Sequence, residues 1–167
     1  MNSISVTRQA PDFSGYADLV VVYLGMRVRT FAGMKTLLGF GPKIEHAGAV
    51  RPEGLLHYEN GIIYSLYPLH IGMRWYWRDL TSLETWSKSE PHRVWWRNFL
   101  KDSGGTGFWH ETYHMRGGME AIYLDLAKPS GFGGFMPMMS ARGSMASRHR
   151  NIASTDLREL PVENWPD

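Results

Sequence analysis

The chain has 167 residues, 43% of them hydrophobic and 20% charged, with a net charge of +2. This suits one domain with a packed core and excludes a disordered chain. Cysteine is absent, which excludes disulfides, thiol nucleophiles and Cys-ligated metal sites, and the scattered basic residues form no stripe that would meet nucleic acid.

Residues 1–15 hold no apolar run of signal-peptide length, and the longest apolar run, 19–26, is too short to span a bilayer. The expectation is a cytoplasmic protein without membrane contact. Residues 18–28 (DLVVVYLGMRV) are β-branched and apolar, as in a central strand. Phe31, Met34, Leu37 and Leu38 then recur at helical spacing over 30–38, up to the breaker Gly39-Phe40-Gly41-Pro42, with room for one more turn over 43–49. Over 54–69 two apolar runs flank Glu59-Asn60-Gly61, and Asn-Gly in that setting predicts a hairpin. Residues 70–78 alternate Met73, Trp75 and Trp77 against Arg74, Tyr76 and Arg78, which is a strand.

Asp79 or Thr81 is placed to cap a helix carrying Leu80, Leu83 and Trp86; after Glu90-Pro91 a second helical segment over 92–100 ends at Ser103-Gly104-Gly105. Residues 106–116 and 119–126 (MEAIYLDL) are predicted to form a hairpin through Gly117-Gly118. From Lys128 onward Gly, Pro, Ser and Met dominate, as in a segment that wraps the surface or a partner. The domain reading is an arm over 1–17, a folded domain over 18–134 and an irregular tail over 135–167.

Residues 110–114 spell HETYH, matching the H-E-x-x-H pattern of zinc peptidases. That chemistry needs a helix. In a strand, His110, Thr112 and His114 share one face while Glu111 and Tyr113 take the other, so no metal site is expected. His110 and His114 would also stand roughly 13 Å apart along such a strand.

The order of elements is a decorated βαββαβ, hence an α+β, ferredoxin-like antiparallel sheet with helices on one face. Its other face would expose tryptophans and tyrosines, and a second copy packing sheet on sheet would cover them as a homodimer.

Several segments then act together: Leu24-Gly25-Met26-Arg27-Val28, Tyr76-Trp77-Arg78-Asp79-Leu80 with Leu83, Pro91-His92 with Trp96, Gly107-Phe108-Trp109-His110-Glu111-Thr112-Tyr113, and Gly118-Met119-Glu120-Ala121-Ile122-Tyr123. Over residues 18–134 the chain resembles the family named after a monooxygenase of fungal fumagillin biosynthesis. The resemblance implies a dimeric α+β barrel, an architecture shared by cofactor-free antibiotic-biosynthesis monooxygenases and by haem proteins such as aldoxime dehydratases and chlorite dismutases. Fold membership narrows the chemistry without choosing it.

His110, inside the motif, suits a general base or an axial haem ligand, and His92 is a second candidate for either. Arg27, Arg78, Glu111 and Glu120 are charges in apparently buried strands, where they either pair with one another or serve as anion holder and proton acceptor. Most aromatic residues build core or interface; Trp77, Trp96, Tyr113 and Tyr123 are candidates, with Glu120, for contacts to a flat apolar substrate. Met136, Met138, Met139 and Met145 suit an adaptable lid, a subunit arm or loose packing. No Rossmann glycine fingerprint or P-loop is present, so the expectation is no cofactor, with haem b as the alternative. The reading is a monooxygenase-like oxidoreductase acting on a small hydrophobic or aromatic molecule. Its rivals are a haem-binding protein or haem-dependent lyase, and a non-catalytic binding module.

Overall fold

A computed structural model describes residues 7–116, 119, 121–126 and 130–140. In chain order the elements are β1 (Arg8–Pro11), β2 (Leu19–Val28), α1 (Phe31–Ala49), β3 (Leu55–Leu66), β4 (Leu69–Trp77), α2 (Leu80–Lys88), α3 (His92–Lys101), β5 (Thr106–Met115), β6 (Tyr123–Leu124), a 3-10 turn (Gly131–Gly134) and β7 (Met138–Ser140). The main sheet runs β3-β4-β2-β5, antiparallel throughout, and the helices lie on one face: the ferredoxin-like α+β fold that the sequence predicts.

The period-two pattern decides the faces. Val20 and Val22 of β2 with Trp75 and Trp77 of β4 turn to the helices and join Ala47 and Leu83 in one core. Leu19, Val21 and Tyr76 turn the other way into a second core with Phe13, Met119 and Met136. Asp79 caps α2, its Oδ1 accepting from the Ser82 N–H at 2.7 Å.

Three expectations need correction. Asn60-Gly61 is not the hairpin turn: β3 continues through it as a bulge, Gly61 takes φ +72°, and the chain reverses at Tyr67-Pro68. Asn60 is committed instead to tertiary bonds, accepting from Trp75 Nε1 at 2.9 Å and donating to Glu45 at 2.7 Å. The helix does not stop at Gly39 but runs through Pro42 to Ala49, because Ile44 and Ala47 keep its apolar face on the core, and burial there outweighs weak propensity.

The third correction concerns the strand after β5. Gly117, Gly118 and Glu120 lie outside the described residues, but β6 pairs with β1, not β5, in a small β6-β1-β7 sheet. This layer packs on part of the sheet face that the sequence left for a partner. Residues 135–140, expected as irregular tail, place Met136 in the core at 4% exposure and supply β7. Met145 and the rest of the tail beyond 140 lie outside the described residues. No described helix is long and apolar enough to cross a membrane.

Candidate functional site

Between the sheet and the helices lies a cavity of about 960 Å³. Its floor is Leu24 and Met26 of β2, Met73 of β4 and Phe108 of β5, with Phe40 of α1 and Trp95 of α3 across from them. The helix side is thin because α3 stands off the sheet: none of its residues is buried, and it meets β5 chiefly through Trp96 and Phe99 against the Phe108 ring.

Polar groups enter these apolar walls at one corner. β5 is an edge strand, and its alternation turns His110 and Thr112 into the cavity. Among the described residues neither side chain has a hydrogen-bond partner, so both are available to a ligand. Solvent reaches His110, yet desolvation by its surroundings, reinforced by the charge of His92, lowers its pKa from the ordinary 6.5 and keeps it neutral at pH 7.

His92 opens α3 and stacks on Trp86, ring centroids 4.7 Å apart. Its Nδ1 lies 2.9 Å from the Ser87 carbonyl oxygen. A carbonyl can only accept, so Nδ1 carries a proton, and in the neutral form of the ring the lone pair stands on Nε2. Trp77, on the cavity wall, buries an indole N–H with no acceptor among the described residues.

On the opposite face a second hollow of about 700 Å³ lies beneath the 3-10 turn. Here Arg74 pairs with Glu59 at 2.6 Å, both side chains being mostly buried, and the other Glu59 oxygen accepts from the Gly131 N–H at 2.8 Å. The pair bolts the C-terminal layer to the sheet. Nearby Trp109 Nε1 donates to His70 Nε2 at 2.7 Å, and Tyr113 donates to Glu111 at 2.6 Å.

The structure brings His92, His110, Trp77 and Trp96 together on the cavity and places the other candidates elsewhere. Glu111, Tyr113 and Tyr123 line the opposite hollow. Arg27 is exposed on that same opposite face, and Arg78 is held outside the cavity by Asp79 at 2.9 Å and Ser82 at 3.1 Å. Arg27 and Arg78 therefore do not pair with Glu111; the mostly buried ion pair among the described residues is Arg74–Glu59, between β4 and β3. Glu120 lies outside the described residues. Thr112 and the Ser87 carbonyl escaped sequence reasoning, although the alternation that put His110 and His114 on one face also included Thr112.

HETYH is strand, with Glu111 opposite Tyr23 of β2 and facing away from His110, so the peptidase geometry is absent. Among the described residues no three His, Asp or Glu side chains converge as a metal site would require.

The fold and its helix-side cavity define the ferredoxin-like class from which α+β barrels are built. Within that class the chain belongs to the monooxygenase af470-like family, whose model matches residues 19–132, as the segments around Trp109–Tyr113 implied. Among solved structures it is similar to an aldoxime dehydratase in complex with butyraldoxime, at 25% identity and a TM-score of 0.64 over 80% of this chain and 38% of that one. A second aldoxime dehydratase matches at 19% identity and a TM-score of 0.66, over 86% of this chain and 42% of the other. The chain thus spans about two fifths of the length of these structures. Comparison with curated proteins finds no match.

Proposed function

We propose that the protein is a small monooxygenase-like oxidoreductase that binds a hydrophobic or aromatic molecule in the helix-side cavity, with His110 as general base. The observation that carries this is a neutral imidazole, free of hydrogen bonds among the described residues, standing at the edge of a large apolar cavity in a member of a monooxygenase-like family. His110 takes a proton from an activated C–H of an electron-rich substrate, and the Thr112 hydroxyl donates to the resulting anion. The carbanion reduces dioxygen and forms a carbon–oxygen bond; loss of water then leaves a carbonyl, so that CH₂ and O₂ become C=O and H₂O. Oxygen uptake with phenolic and enolic substrates tests this, and uptake that is unchanged in His110→Ala refutes it.

The tautomer of His92 favours a second reading, a haem protein. An imidazole whose Nδ1–H is fixed on a backbone carbonyl and whose Nε2 has no partner among the described residues is prepared as a metal ligand, and flat aromatic walls suit a porphyrin, so these residues fit haem b. His92 would hold the iron and His110 would serve as proton donor or acceptor beside it. Haem, when bound, supplies a redox-active Lewis acid. The likeness to an aldoxime dehydratase solved with butyraldoxime supports the same reading. Titration with hemin separates the two: a Soret band that shifts in His92→Ala favours haem, and a spectrum with no such band favours the cofactor-free reaction.

A homodimer is part of the proposal. The closing layer leaves Tyr64, Leu66 and Tyr67 at the β3–β4 tip 42%, 76% and 95% exposed, and a second copy would cover them together with Tyr113. Sedimentation showing a stable monomer at micromolar concentration would remove that part.

A further inference from the structure

The rim of the cavity carries a charge imbalance that its apolar interior does not explain. Arg93 and Arg97, one turn apart on α3, line the cavity with Lys88 from the end of α2, and the one described carboxylate in the lining is Glu84. Two of the cations are already engaged: Lys88 lies 3.2 Å from Glu84, and Arg93 lies 3.0 Å from Glu90. Arg97 has neither ion pair nor hydrogen bond among the described residues.

An exposed arginine alone is an ordinary solvated side chain. Its position matters here, because an apolar body that fills a cavity of about 960 Å³ must bring its polar end out at the rim. By the rise of a helix, Arg97 sits about 7.5 Å farther along α3 than His92, roughly the length of a ring or a short chain from the histidine corner. A guanidinium presents paired N–H donors that match a carboxylate, while Lys88 and Arg93 raise the local potential. A phosphate would need several free donors converging on one point, and among the described residues lining the cavity Arg97 is the single free guanidinium.

We infer that the cavity's ligand is an amphiphile with an apolar body and a carboxylate, the carboxylate being held at the rim by Arg97. This rests on the helix-side cavity being the small-molecule site.

Calorimetric titration of the full chain at pH 7.5 with decanoate, octanoate and decanol tests it. Decanoate is expected to bind about fivefold tighter than decanol, the effect of one partly exposed ion pair, and the advantage should shrink in high salt. Arg97→Gln should abolish that advantage and leave decanol affinity unchanged, and Arg97→Lys should keep part of it. Equal affinities for decanoate and decanol, or equal weakening of both by Arg97→Gln, overturn the inference. If affinity then still rises about threefold to fourfold per methylene between octanoate and decanoate, the cavity reading survives. No binding by any of the three overturns both. Hemin carries the same chemistry in its propionates: hemin binding weakened by Arg97→Gln, alongside weak decanoate binding, identifies a porphyrin as the carboxylate's source and supports the inference.

Discussion

The two faces of the main sheet are built from the same alternating strands and treated in opposite ways. One is sealed by the chain's own terminal segments, with Met136 in the core and Arg74–Glu59 as a bolt. The other packs α1 and α2 onto a core but is covered toward β5 by α3, which has no buried residue; a cavity remains there, beside a histidine with no hydrogen bond among the described residues. Both faces carry a packed core and a hollow, but the larger and more apolar hollow, about 960 Å³ against about 700 Å³, lies where α3 covers the sheet.

Substitutions on the two faces should therefore separate stability from chemistry. Under the proposed reading His110→Ala lowers oxygen uptake by about 10²- to 10⁴-fold with little change in melting temperature; a melting point that falls as far as for a core truncation would make His110 structural. Met136→Ala, in the sealed face, should cost about 3 kcal/mol in urea denaturation and leave ligand affinity nearly intact. Glu59→Gln leaves the Arg74 charge without its counter-charge, and since the pair is 27% and 18% exposed, a loss of about 2 kcal/mol, below that for a fully buried pair, is expected.

Acid should act on both faces. Burial lowers the pKa of His110 on the cavity and of His57 and His70 on the sealed side; positive neighbours add to each shift, and at His57 the Glu59 carboxylate opposes it without reversing it. The unfolded chain then binds more protons than the native one, so stability is full above the ordinary value of about 6.5 and falls as pH drops below it. Melting temperatures between pH 7.5 and 5 should decline, and less steeply in His57→Gln. The smallest effect belongs to Leu100→Ala on α3: at 69% exposure it should cost under about 0.5 kcal/mol, although it borders the cavity.

What was legible in the sequence was what repeats locally. β2 followed from its β-branched apolar run, β4 from its alternation and β5 from its β-forming residues, and the facing of His110 against Glu111 came with the strand period. Asn60-Gly61 misled because its turn signal is local, whereas the bonds from Asn60 to Trp75 and Glu45 come from distant elements. The same limit hid the pairing of Arg74 with Glu59: both stand in strands, but only the register of β3 on β4 puts them opposite each other. The terminal layer was missed because β1, β6 and β7 are four, two and three residues long, too short to show a period. The proton on His92 depends on a backbone carbonyl, which no residue letter reports.

The absence of any buried residue in α3 has a consequence for hydrogen exchange. A helix of ten residues is marginal in water and is normally held by its packed face, and here that face looks onto the cavity. The α3 amides should therefore be among the first to exchange in the empty protein, and a bound ligand should slow them selectively by supplying the missing half of the packing. Protection at α3 would then report occupancy of the cavity by any molecule, without knowledge of its identity and without turnover, and would make the helix a usable assay in screening candidate ligands.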